Sequence, residues 1–228
     1  MRLTYAGHST FLLETARARL VLDPFFDENP ASPLKVADVA CDYILISHGH
    51  SDHCCDALAL ARRTGATIIA NHEIAEYFAH CGVKTHGLNP GGGHEFPFGR
   101  VQLTPALHSS SFDFLGSPPH PYAGVACGSV IRAGGRTLYH AGDTALFSDM
   151  QLIGDLGLDV ALLPIGDNYT MGPADALRAL SLLRPRVAVP MHFNTWPPIA
   201  QDAGDFARRA AAQGHTVRVL AAGDAFDL

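Results

Sequence analysis

The stretch Tyr43-Ile44-Leu45-Ile46-Ser47-His48-Gly49-His50-Ser51-Asp52-His53 runs an apolar strand directly into three imidazoles and a carboxylate. Packing does not explain a buried strand that ends this way. Imidazole nitrogens and carboxylate oxygens are the ligands that zinc and similar divalent ions take. Alternation along an extended turn sends His48 and His50 one way and Asp52 and His53 another. One short segment can therefore serve two adjacent metals. A lone His-x-His is an ordinary surface turn; the full pattern behind an apolar strand reads as a metal site.

Four side chains are too few for two ions, so further His or Asp residues should end other strands. Three do. His108 follows Leu103-Thr104-Pro105-Ala106-Leu107, Asp143 follows Tyr139-His140-Ala141-Gly142, and His192 follows Val189-Pro190-Met191. Any one alone would be an ordinary histidine or turn aspartate. Three such strand ends in a chain that already carries the cluster point to ligands gathered along one edge of a sheet.

Around these points the hydrophobic periodicity alternates between strand and helix. Strands are expected at 2–6, 9–14, 19–22, 43–47 and 67–70, with helices at 56–63 and 73–80. The later half repeats the pattern, with strands at 101–107, 124–133, 136–140, 160–163, 186–190 and 216–220. Its helices are expected at 145–155, 173–183 and 199–212, where Pro173 at a start and Gly214 past an end fit the usual asymmetry. No linker rich in Pro, Gly or Ser separates the halves. The expected fold is one α/β (α+β) domain over 1–228, a four-layer αββα sandwich with two facing sheets and helices outside. The irregular segment 109–122 holds Phe112, Phe114, Pro118, Pro119 and Pro121, and reads as a lid over the metals or as an interface.

Composition narrows the class. Of 228 residues 47% are hydrophobic and 17% charged, enough apolar material for a well-buried core. No apolar run is long enough for a membrane span. The opening Met1-Arg2-Leu3-Thr4-Tyr5 enters a strand-like pattern at once, so no signal peptide and a cytoplasmic protein are expected. A formal net charge of −6 with scattered arginines argues against a nucleic-acid partner. Five cysteines without zinc-ribbon spacing read as reduced thiols. Of the adjacent pair, Cys54 and Cys55, one should pack under the histidine loop and one be partly exposed.

The chain resembles the metallo-β-lactamase superfamily over its whole length. His48-x-His50-x-Asp52-His53 matches the superfamily signature, followed in order by His108, Asp143 and His192. The phrases Gly7-His8-Ser9, Leu22-Asp23-Pro24-Phe25, Pro164-Ile165-Gly166-Asp167-Asn168-Tyr169-Thr170-Met171-Gly172 and Pro190-Met191-His192-Phe193-Asn194-Thr195 resemble one branch. It holds predicted bacterial and archaeal metal-dependent hydrolases akin to L-ascorbate-6-phosphate lactonase. The resemblance implies that His48, His50 and His108 hold one metal and Asp52, His53 and His192 the other, with Asp143 bridging.

The expected cofactors are two divalent metal ions, zinc first, with manganese, nickel or iron as alternatives. The expected activity is hydrolysis of a small ester, lactone or phosphoester by a hydroxide bridging the metals, with Asp52 as the catalytic carboxylate. His8 is expected behind a ligand or against substrate, and Asp23 should accept the second N–H of a ligand histidine. Asn168, Thr170 and Asn194, on turns beside strand ends, are candidate substrate contacts. The expected partner is a small-molecule substrate, and a homo-oligomer stays open. Two other readings exist: a di-iron redox protein on the same fold, or a phosphodiesterase or nuclease-type member. His50 stands where a glutamate commonly marks the iron-binding variant, and no basic arm for RNA is visible.

Overall fold

A computed structural model describes residues 1–228. β1 (Arg2–Tyr5), β2 (Phe11–Glu14) and β3 (Arg19–Leu22) form an antiparallel meander. β4 (Tyr43–Leu45) joins β3 in parallel and leads into α1 (Ser51–Cys54) and α2 (Ala57–Thr64). β5 (Thr67–Asn71), α3 (His72–His80) and β6 (Thr85–Leu88) follow. β7 (Gly93–Phe96), β8 (Gly99–Pro105), β9 (Cys127–Ala133) and β10 (Arg136–His140) then make a second antiparallel run. After α4 (Met150–Gly154), β11 (Val160–Pro164) extends it in parallel; α5 (Pro173–Leu183) leads to β12 (Val187–Met191), also parallel. α6 (Ala203–Ala212) and β13 (Ala225–Asp227) come last in chain order.

One sheet has the order β13-β1-β2-β3-β4-β5-β6 and the other β12-β11-β10-β9-β8-β7. Leu13, Leu20 and Leu22 of the first meet Val130, Ile131 and Leu138 of the second in one core, which continues to Leu180 of α5 and Phe206 of α6. A separate cluster on the other face of the first sheet joins Ile44 and Ile68 to Leu60 of α2 and Phe78 of α3. This is the expected αββα layering. The local causes are visible: β11 lies between two parallel neighbours and is buried at every residue of Val-Ala-Leu-Leu-Pro. The Asn71 side chain caps α3 by accepting the Ile74 N–H at 2.9 Å. No helix is long and apolar enough to cross a membrane.

Some expectations need correction. The stretch 216–220 is not a strand but a single parallel bridge between Ala188 and Val217. Ala188 N–H donates to Thr216 O and Arg218 N–H to Ala188 O, and the next donor on β12 would be Pro190, which has none. The ladder therefore stops after one step. β13, which pairs with β1, and the short edge strands β6 and β7 lie outside the expected strands. Neither β6 nor β7 buries a single residue fully, so neither carries an apolar alternation to read. Two helices are shorter than expected: α4 starts at Met150 rather than 145, and α6 starts at Ala203 after a separate 3-10 turn at Pro197–Ile199.

The aromatics of 109–122 do not cover the metal-site cavity. Phe112 is buried, with its ring centroid 4.4 Å from that of Tyr77 on α3, and Phe114 packs beside them. They fasten the loop to the outer helix layer. Its polar residues Ser109 and Asp113 line the cavity instead.

Candidate metal centre

Every candidate ligand follows a strand. His48 and His50 lie in the turn after β4, Asp52 and His53 on α1 beyond it, and His108, Asp143 and His192 follow β8, β10 and β12. Both sheets therefore contribute. His8 and Asp23 follow β1 and β3. The close approach of the loops is set by glycine: a Cβ on Gly49 would lie 2.4 Å from the Ala123 Cβ. Gly142, beside Asp143, has φ +61° and no room for a Cβ against Ser47.

The candidate ligand atoms converge in three groups, each with all its atoms within 4.8 Å of one another: His48, His50 and His108; His8, Asp52, His53 and His192; and His48, His53 and Asp143. Asp143 sits between the first two. Its Oδ1 is 3.3 Å from His53 Nε2, and its Oδ2 is 3.0 Å from His192 Nε2 and 3.6 Å from His108 Nε2. His53 Nε2 and Asp143 Oδ1 are buried without a hydrogen-bond partner, a costly state for protein atoms that no ion satisfies. No cysteine enters the groups; Cys54 is buried and Cys55 half-buried.

Behind the candidate ligands, Asp23 sets the orientation of two imidazoles. Its Oδ2 accepts His53 Nδ1–H at 2.7 Å and the Ser47 hydroxyl at 2.7 Å. Ser47 Oγ, its proton given to Asp23, accepts His48 Nδ1–H at 2.9 Å. With Nδ1–H donated on the far side, each ring turns its Nε2 towards the centre, the atom that binds a cation once it carries no proton. Asp23→Ala should loosen both at once and lower metal affinity by about 10–100-fold. Titration against a competing chelator measures this, and unchanged affinity would refute the orienting role.

On the opposite side, His8 Nε2 lies 3.0 Å from Asp52 Oδ2 and its Nδ1 2.7 Å from Thr195 Oγ1. The rings of His192 and Trp196 cover His8 at centroid distances of 4.1 and 5.0 Å. The His8 carbonyl accepts the His192 N–H at 2.8 Å, tying the ends of β1 and β12 together. His8, Asp23 and His192 all adopt left-handed backbone, with φ of 58°, 47° and 54°. For residues with a Cβ this costs about 1–2 kcal/mol each, and such strain collects at functional sites.

The electrostatics favour cations. Burial and the neighbouring His192 push His8 down to about 4. Burial also acts to lower His192, but Asp143 and Asp52 outweigh it and lift the imidazole to about 9. Burial opposes the charge on His53 too, and Asp143, Asp52 and Asp23 raise it well above its ordinary value. For Asp52 and Asp143 burial acts upward, yet the surrounding imidazoles hold both well below the carboxylate range. Ionised carboxylates that keep protons on buried imidazoles form a site where divalent cations can replace those protons. The donor set and the two orphaned atoms fit such ions.

A family model described as a beta-lactamase superfamily domain matches residues 18–193. The chain belongs to that superfamily. A UPF0173 metal-dependent hydrolase of Opitutus terrae is 55% identical over 228 residues, covering 100% of both chains. Another, from Desulforamulus reducens, is 52% identical over 222 residues, 96% of this chain and 95% of its own. Among solved structures, Igni18, a metallo hydrolase from the archaeon Ignicoccus hospitalis, has a TM-score of 0.90 and 41% identity, covering 100% of this chain and 98% of its own.

In this superfamily member the centre opens into a cavity of about 250 Å³ lined by His50, Asp52, His108, Ser109, Asp113, Asp143, Tyr169 and His192. Asn168, Thr170 and Asn194, the candidate substrate contacts, are not among the residues lining it. Asn194 Oδ1 accepts the Gln201 N–H at 2.8 Å and shapes a turn, and Thr170 bonds within its own loop. Tyr169, between Asn168 and Thr170, is the residue that reaches the cavity. Ser47, Thr195 and Asp113 also meet the site, and of these only Ser47, a hydroxyl directly before His48, carries a signal in the sequence. His140 is a core residue, its Nε2 donating to Ser9 O at 3.0 Å.

Proposed function

We propose that this metal-dependent hydrolase holds two divalent ions and cleaves a small ester, lactone or phosphoester. The observation that carries the reading is the convergence of His48, His50 and His108 beside Asp52, His53 and His192, with Asp143 between them. Zinc is the first choice for this nitrogen-rich set, and manganese, nickel or iron also suit it. Two such ions, when bound, would supply an acidified water and a Lewis-acid hold on the substrate oxygen.

The chain's own groups do the rest. Asp143 serves both halves of the centre. Asp52, with 22% of its side chain exposed, can meet substrate; it orients the attacking water and passes a proton to the leaving group. His8 holds the Asp52 carboxylate in place from its buried side, braced in turn by Thr195. Asp23 and Ser47 fix the ligand rings. Sequence motifs that resemble the branch akin to L-ascorbate-6-phosphate lactonase are the reason lactones stand in the proposed range. The free cysteines suit a reduced, cytoplasmic setting.

Metal analysis of the purified protein, followed by a panel of esters (thioesters included), lactones and phosphoesters, tests the proposal. About two ions per chain and a turnover that a chelator abolishes and metal restores are expected. Full metal loading with no turnover of any of the three substrate types would overturn it.

A further inference from the structure

The cavity over the metal centre has a wall of definite charge. Asp113, Tyr169 and Ser109 line it together with the candidate ligands, and no lysine or arginine lines it. The Asp113 carboxylate accepts the Ser51 N–H at 2.7 Å and the Ser51 hydroxyl at 3.3 Å. A carboxylate has about four lone-pair sites, so two remain for a ligand. Tyr169 is 58% exposed and offers an aromatic ring to the same space. Arginines are grouped elsewhere: Arg136, Arg186 and Arg218 line a cleft with Val160 and Val187, the first residues of β11 and β12. His192 follows β12, so that cleft is at the opposite end of the strands from the metal centre.

We propose that Asp113 and Tyr169 make this hydrolase select substrates whose uncleaved part carries a cationic group, and disfavour those whose uncleaved part is a carboxylate, sulfonate or phosphate. The inference rests on the hydrolase reading and narrows it. A phosphate on the remainder of the substrate would meet Asp113 without a compensating guanidinium. An ammonium there meets the negative charge of a carboxylate and the face of an aromatic ring, which attract a cation with or without N–H donors. The net charge of −6 biases encounter in the same direction.

Three acetate esters of nearly one shape test it: those of choline, 3,3-dimethylbutanol and isethionate, with cationic, neutral and anionic ends. The metal-loaded enzyme should show kcat/KM falling in that order, by about tenfold or more from the choline to the isethionate ester. Asp113→Asn keeps an oxygen for the Ser51 N–H and removes the charge. Its choline-to-isethionate ratio should fall about tenfold, a change in ratio that a purely structural role would not produce. Equal or inverted preference in the native enzyme, or an unchanged ratio in the variant, overturns the inference. If no ester is turned over, esterase activity fails separately, and calorimetric titration with choline and isethionate decides the charge preference. Tighter binding of choline that weakens in Asp113→Asn supports it; equal binding, or tighter isethionate binding, overturns it.

Discussion

Asp143→Ala should empty the centre, taking metal content from about two ions per chain to well below one. The reason lies in the position of Asp143, whose two oxygens lie against His53 on one side and His192 and His108 on the other. Without it, two cations would face each other across a pocket that has lost its central negative charge. Elemental analysis after dialysis reads the result, and full occupancy in the variant would sink the shared-ligand role. The metal-free protein gives an independent signature. Asp143 is the main group lifting His192 to about 9, so the imidazole should release its proton at lower pH in the variant. The native pairing contributes stability that is complete below the ordinary imidazole range and lost as pH rises through about 9, and the variant, with only Asp52 left to raise the group, should show a weaker dependence.

Asp52→Asn should lower kcat by about 10²–10⁴-fold at matched metal content, with a much smaller change in KM. The amide retains an oxygen for a metal and for His8 Nε2, which lies 3.0 Å from the native carboxylate. It cannot accept the proton of the attacking water. Steady-state kinetics on metal-quantified samples make the comparison. A fall of less than about tenfold would leave Asp52 as a ligand alone.

The gathering of the seven ligand-type side chains was legible in the sequence because each cue was local: a polar, metal-seeking residue ending an apolar run. Chain topology then brings strand ends to one edge, and the αββα layering follows from the alternation of strand and helix periods. What was hidden depends on contacts distant in sequence. Asp113 meets Ser51 across 62 positions, and the loop that carries it is oriented by Phe112 packing on Tyr77. Phenylalanines and prolines directly after His108 suggest a lid, because composition does not say which surface they bury against; Phe112 packs on Tyr77 instead. The stretch 216–220 has a sound strand pattern, and its failure lies in Pro190 on the neighbouring strand. Tyr169 rather than Asn168 or Thr170 reaches the cavity because that loop closes through its own backbone, with Thr170 N–H on Asp167 O at 2.6 Å.

The left-handed backbone at His8, Asp23 and His192 has a bearing on descent as well as on chemistry. Glycine would relax each position, and asparagine would fit it with less strain than most residues. Selection for activity must therefore oppose a steady thermodynamic pull towards those two residues. In lineages where the activity has lapsed, drift should reach positions 8, 23 and 192 early, while the apolar interior still holds its pattern. A homologue with a sound core and glycine or asparagine at all three would be a retired enzyme, recognisable before any assay.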